Sequence, residues 1–116
     1  MSREQGFHAE QQVQNYLIQQ GLSWRCSNYQ CRLGEIDLIM QDGVYLVFVE
    51  VRVRRSNAFG HAVETVNITK QRKIIKTALW YLKVNHLHEQ HPIRFDVVGL
   101  QGDAQAITWI KNAFGG

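Results

Sequence analysis

The chain has few cysteines and almost no proline. Its 116 residues include two cysteines, Cys26 and Cys31, and one proline, Pro92. Two cysteines are too few for a disulfide framework, and a lone C-x4-C spacing without nearby partner ligands makes a poor zinc site. Ordinary buried or half-buried thiols in a reducing compartment are the expectation. A single proline and nine scattered glycines argue against long disorder, and 45% hydrophobic residues are enough to build a core. No apolar run approaches the roughly eighteen residues that a membrane span needs. Residues 1–20 are polar and Gln-rich, so no secretory segment is expected and the chain reads as cytoplasmic. There is no Gly-rich phosphate loop, and no Ser, Cys or Lys nucleophile with an arranged base. The length suits one domain, residues 1–116.

One segment lacks acid. From Arg52 to Lys76 lie Arg52, Arg54, Arg55, Lys70, Arg72, Lys73 and Lys76 against Glu64 alone, seven cations to one anion and a net +6. The whole chain carries only +3, so the remainder is net negative. A basic block of this kind is a solvated face unless something beside it calls for a polyanion.

Hydrophobic periodicity supplies the elements. Residues 3–20 read as a helix ending at Gly21, with Phe7, Val13 and Leu17 on one stripe. Glu10 falls inside that stripe, where a carboxylate is costly unless something pairs with it. Leu22 to Asn28, Glu35 to Gln41 and Val44 to Val53 read as strands, with Asp42-Gly43 as the hairpin turn between the last two. Thr69 is placed to cap a second helix running to about Asn85, with Ile75, Ala78, Leu79 and Leu82 as its apolar stripe. Ile93 to Leu100 and Gln105 to Ile110 complete an αβββαββ order, an α/β domain with a mixed sheet flanked by helices. In the third strand both faces are apolar until Glu50, Arg52 and Arg54 appear on the face of Leu46 and Phe48. Such a strand is central, and charge at its end suggests a site.

A two-residue turn at Asp42-Gly43 pairs Gln41 with Val44 and puts Asp37 opposite Phe48, with Glu50 as its diagonal neighbour on the same face. Diagonal positions are about 7–8 Å apart, near enough for leaning side chains to share a cation. A three-residue turn would set the two acids on opposite faces. Glu35 falls opposite Glu50 in this register and is expected to point to solvent. Asp37 is flanked by Ile36, Leu38 and Ile39, where an unpaired carboxylate is expensive.

Gly34-Glu35-Ile36-Asp37-Leu38-Ile39 followed by Val47-Phe48-Val49-Glu50-Val51-Arg52 resembles the active-site hairpin of the PD-(D/E)XK nuclease superfamily. The chain is similar over most of its length to the YraN-like family, through Gly6, Glu10, Asn28-Tyr29, Gly60, Ala62, Glu64, Lys70 and Arg94-Phe95-Asp96-Val97. The resemblance implies a restriction-endonuclease-like fold, similar to Holliday junction resolvases, and a nuclease that uses Mg²⁺ or Mn²⁺. It makes Asp37 and Glu50 the metal ligands, with the Val51 carbonyl as a third and Glu10 as the helix acid that related nucleases bring to the same metal. Ile36 stands where the superfamily pattern has proline, and Arg52 where it has lysine.

Two functions remain open from the residues. One is a metal-dependent phosphodiesterase on DNA or structured nucleic acid, with Arg52 stabilising charge on the phosphate and Arg54, Arg55, Lys70 and Arg72 gripping the backbone. The other is a nucleic-acid-binding module that kept the fold and lost cleavage, which Arg52 favours. A protein-interaction domain is a weaker third, and a homodimer is the expectation by analogy with junction resolvases. Trp80 and Trp109 read as core residues. His86, His88 and His91 read as favourable charge after a helix end.

Overall fold

A twisted sheet carries a helix on each face. The structure, a computed structural model, describes residues 3–54, 66–87, 91–102 and 106–115, with side chains from His8 onward. The elements are α1 (Arg3–Gln19), β1 (Ser23–Cys31), β2 (Gly34–Asp42), β3 (Tyr45–Arg54), α2 (Ile68–Val84), β4 (Ile93–Gln101) and β5 (Ala106–Phe114), the expected αβββαββ order. The five strands lie in the sheet in chain order, β1-β2-β3-β4-β5. The β3–β4 pair is parallel and the other pairs are antiparallel. A parallel pair needs a long crossover, and α2 lies within it.

Strand alternation fills both faces of β3. Val47 and Val49 pack with Ala9, Val13 and Leu17 of α1, while Leu46 and Phe48 pack with Ile74, Ala78, Tyr81 and Leu82 of α2. The second core is aromatic. Phe48 stacks on Phe95 at 5.6 Å between ring centroids, Phe95 on Phe114 at 5.3 Å, and Tyr81 meets Phe48 edge-on at 6.0 Å. Offset and edge-on rings add to the burial energy. Both cysteines are free and half-buried, as expected.

Three local expectations are corrected. The hairpin turn is Gly43-Val44, because Asp42 pairs with Tyr45 and stays in its strand. Of the two turn residues only Gly43 takes positive φ, +59°, the conformation glycine adopts at least cost. Asp42 is drawn the other way, its Oδ2 lying 3.0 Å from Arg94 Nη2. The second helix is capped by Asn67, whose Oδ1 accepts the Lys70 N–H at 2.9 Å, and not by Thr69. Its buried side is Ile74, Thr77, Ala78, Tyr81 and Leu82, leaving Leu79 and Trp80 exposed. Thr77 tolerates burial because its hydroxyl donates to the Lys73 carbonyl at 2.8 Å. Trp109 does pack on the first core, with its ring 6.2 Å from that of Tyr16.

Candidate metal centre

The corrected register changes how the carboxylates meet. The β2–β3 pairs run from Asp42–Tyr45 to Leu38–Val49, a slip of two residues from the expected pairing. A slip of two keeps the parity of the paired residues, which end at Leu38–Val49, one step short of Asp37 and Glu50. Beyond those pairs, Asp37 and Glu50 lie close enough for their carboxylates to interact. There the Val51 N–H donates to Asp37 Oδ2 at 2.8 Å.

Asp37 also sits where strand alternation fails. Ile36 and Ile39 both pack on the α2 side although they are three apart, and so do their partners Tyr29 and Cys26 on β1. Between those partners lies Asn28, in the left-handed region at φ +52°. Asparagine is among the few residues that take this conformation readily. With the phase broken on both strands, Asp37 reaches acids from both layers, Glu10 of α1 and Glu50 of β3, each within hydrogen-bonding range of its carboxylate.

The electrostatics follow from that crowding. Burial, then the charge of Asp37, pushes the Glu50 carboxyl up to about 8, although Lys70 pulls it down. Glu50 is only 7% exposed, and its Oε1 lies 3.2 Å from Lys70 Nζ. Burial and the charge of Asp37 likewise push Glu10 up to about 7, against a hydrogen bond from Asn28. Among the described residues no three His, Cys, Asp or Glu side chains converge as a ready cage for a metal ion. The nearest approach to one is the Asp37–Glu50 pair, with Glu10 joined to it through Asp37.

The remaining site residues divide. Arg52 and Arg54 follow Glu50 on the same side of β3 by alternation. Arg54 donates to the Val53 carbonyl at 3.0 Å. Lys70 stands at the carboxylates with its side chain partly exposed. Arg72, two residues on, points roughly 200° round the helix from it and is exposed. Arg55, Gly60, Ala62, Glu64 and His88 lie outside the described residues. Glu35 is exposed, its Oε2 accepting from Gln30 at 3.2 Å. Lys73 and Asn28 were not singled out for the site from sequence. Lys73 lines a cleft beside Lys70, and the three-residue spacing of the two lysines was the available signal.

A mixed α/β sheet with acids clustered where the buried part of its central strand ends defines the general class of protein. Residues 9–100 match the profile of Uncharacterised protein family UPF0102. A UPF0102 protein of Legionella pneumophila is 48% identical over 114 residues, covering 98% of this chain and 97% of the relative. UPF0102 proteins of Coxiella burnetii and Vibrio cholerae are 50% and 46% identical over 113 residues, each alignment covering 97% of this chain and 93% of the relative. The chain belongs to the UPF0102 family.

Proposed function

We propose that this chain is a metal-dependent nuclease of the PD-(D/E)XK kind, hydrolysing phosphodiesters in DNA or structured nucleic acid. The observation that carries it is the Asp37–Glu50 pair. Two carboxylates from adjacent strands meet where the doubly covered part of β3 ends, and burial first, then Asp37, suppresses the acidity of Glu50. Perturbed acids in such a place are candidates for function. The αβββαββ order agrees with the restriction-endonuclease-like fold, and the chain's cationic segment begins two residues after Glu50 in the sequence. No helix among the described residues is long and apolar enough to cross a membrane.

The residues fit Mg²⁺ or Mn²⁺. Carboxylate oxygens and a backbone carbonyl are the hard donors these ions take, and a divalent cation relieves the repulsion that raises Glu50. Asp37 and Glu50 would hold it. The Val51 carbonyl lies on the same strand edge as the N–H that Asp37 binds, since a strand residue's two backbone groups point the same way. Glu10 would join through Asp37. Such a cation lowers the pKa of a water and offsets charge on a leaving oxygen. Arg52 neutralises charge on the phosphate, and Arg54, Arg55 and Arg72 hold flanking backbone. A homodimer and a cytoplasmic location complete the proposal.

A second function rests on Arg52. Arginine cannot deprotonate in a protein and its fork is bulkier than an ammonium, which suits a nucleic-acid-binding module with little or no cleavage. The deciding experiment is a panel of duplex, single-stranded and branched substrates with Mg²⁺ and Mn²⁺, run beside Asp37→Asn. Metal-dependent cleavage lost in Asp37→Asn supports the nuclease. Binding without cleavage in every lane supports the module, and neither binding nor cleavage sinks both.

A further inference from the structure

The Lys70 ammonium faces two ways. Its Nζ is 3.2 Å from Glu50 Oε1, yet the side chain is 43% exposed and borders a cleft of about 590 Å³. The opposite walls of that cleft come from the β1–β2 hairpin, through Gln30, Cys31, Gly34 and Glu35. The near wall is the start of α2, with Asn67, Thr69, Lys70 and Lys73. Gly34 fixes how closely hairpin and helix approach. It has φ +154°, and a Cβ there would stand 2.8 Å from the Thr77 hydroxyl. The cleft therefore adjoins the carboxylate pair, with Lys70 at the junction.

We infer that Lys70 is an exchangeable counter-ion. Its ammonium holds Glu50 until a divalent cation takes that carboxylate, and it then turns into the cleft, where with Lys73 it binds a phosphate of the nucleic-acid strand. This rests on the proposed metal site. A cation binding Glu50 competes with an ammonium already in hydrogen-bonding contact, so the two occupancies oppose each other. Once released, a flexible lysine stem carries a compact charge suited to a phosphate oxygen. Glu35 is the acid on the hairpin wall, and it accepts from Gln30 at 3.2 Å. By linkage, metal and strand favour each other through one side chain: the metal frees the lysine for the phosphate, and the phosphate keeps it off Glu50.

Two measurements that require no turnover test this. Calorimetric titration with Mn²⁺ compares the wild type with Lys70→Met, Lys70→Arg, Lys76→Met and Asp37→Asn. Lys70→Met should bind Mn²⁺ roughly tenfold more tightly than wild type. Lys76→Met, which removes an exposed charge elsewhere on α2, should match the wild type. Fluorescence anisotropy of a short labelled single strand with phosphorothioate linkages then reads strand affinity with and without Mn²⁺. Mn²⁺ should tighten strand binding several-fold more in wild type than in Lys70→Met. Equal Mn²⁺ affinity in wild type and Lys70→Met, with loss in Asp37→Asn, overturns the counter-ion role and leaves the metal site standing. Mn²⁺ binding that is absent from the wild type and Lys70→Met, or undiminished in Asp37→Asn, overturns both.

Discussion

The described residues bury carboxylates in two places and treat them differently. On β4, Asp96 is fully buried and its two oxygens accept four hydrogen bonds, all at 2.9 Å, from Arg94 Nε, Arg94 Nη2, Trp109 Nε1 and the Asn112 N–H. Arg94 is held in turn by Asp42 at 3.0 Å and lies 5.6 Å from the centre of the Tyr45 ring. These hydrogen bonds, Asp96 first, push the guanidinium up despite its burial. Around Asp37 the neighbours include other acids, Glu10 and Glu50, and the donors to the three carboxylates include the Val51 N–H, Asn28 and Lys70. A carboxylate saturated with donors locks a fold. Carboxylates set against each other keep capacity for something more strongly charged than a side chain.

That contrast breaks if the two sites respond alike to mutation. Asp96→Ala should cost about 4 kcal/mol, because it takes the main partner from the half-buried Arg94 and strands the indole and the Asn112 N–H. Urea unfolding monitored by tryptophan fluorescence measures this, and a loss below about 1 kcal/mol would remove the distinction. Next in size is Arg52. Arg52→Ala should slow cleavage by about 10²–10³ with Mn²⁺ affinity nearly unchanged, while Arg52→Lys should keep or raise the rate. Single-turnover assays beside calorimetry separate the two effects. At the acid cluster itself, Asp37→Asn and Glu50→Gln should abolish metal-dependent cleavage. Without added metal they should leave stability level or raise it by up to about 1 kcal/mol, the reverse of Asp96→Ala. If either variant unfolds as readily as Asp96→Ala, the acid cluster is structural.

Much of the acid cluster was legible in sequence and almost none of the Asp96 network was. Asp37 and Glu50 announce themselves as charges inside apolar strands, and period-two alternation predicts them on one side for either turn, although the alternation of β2 breaks at Asp37. The slip itself was hidden, because it depends on Arg94 holding Asp42 from another strand. The local phase break at Asn28 was likewise invisible, since asparagine tolerates positive φ without requiring it. Asp96 needs Trp109 and Asn112, thirteen and sixteen residues away on β5, and no local pattern joins them. The buried side of α2 was misjudged by ranking hydropathy alone. Thr77 goes inside with its hydroxyl satisfied and Tyr81 with its ring between Tyr29 and Phe48, while Leu79 stays out. The pairing of Lys70 with Glu50 was hidden, because charge alone does not reveal which way a side chain turns.

The smallest effect concerns pH, and its sign separates the two sites further. Glu10 and Glu50 are held at about 7 and about 8, above the ordinary 4.5 they regain on unfolding. Between those limits the folded chain keeps protons that the unfolded chain releases, so stability falls as pH rises. The contribution is complete below about 4.5 and disappears as pH climbs through 7 and then 8. The slope is at most about 1.4 kcal/mol per pH unit for each proton. Unfolding free energies of wild type, measured with chelator from pH 5 to about 8.5, should therefore decline relative to those of Glu50→Gln, which carries no titrating group at that position. Glu10→Gln should lessen the decline only up to about 7, and Glu50→Gln all the way to about 8, so above 7 only Glu50→Gln still flattens the profile. Adding Mg²⁺ should flatten the wild-type profile from the alkaline side, because a cation stabilises the ionised pair most where both acids have lost their protons. A wild-type profile parallel to that of Glu50→Gln across the whole range would mean that Glu50 titrates as an ordinary surface acid, and the electrostatic case for the site would fail with it.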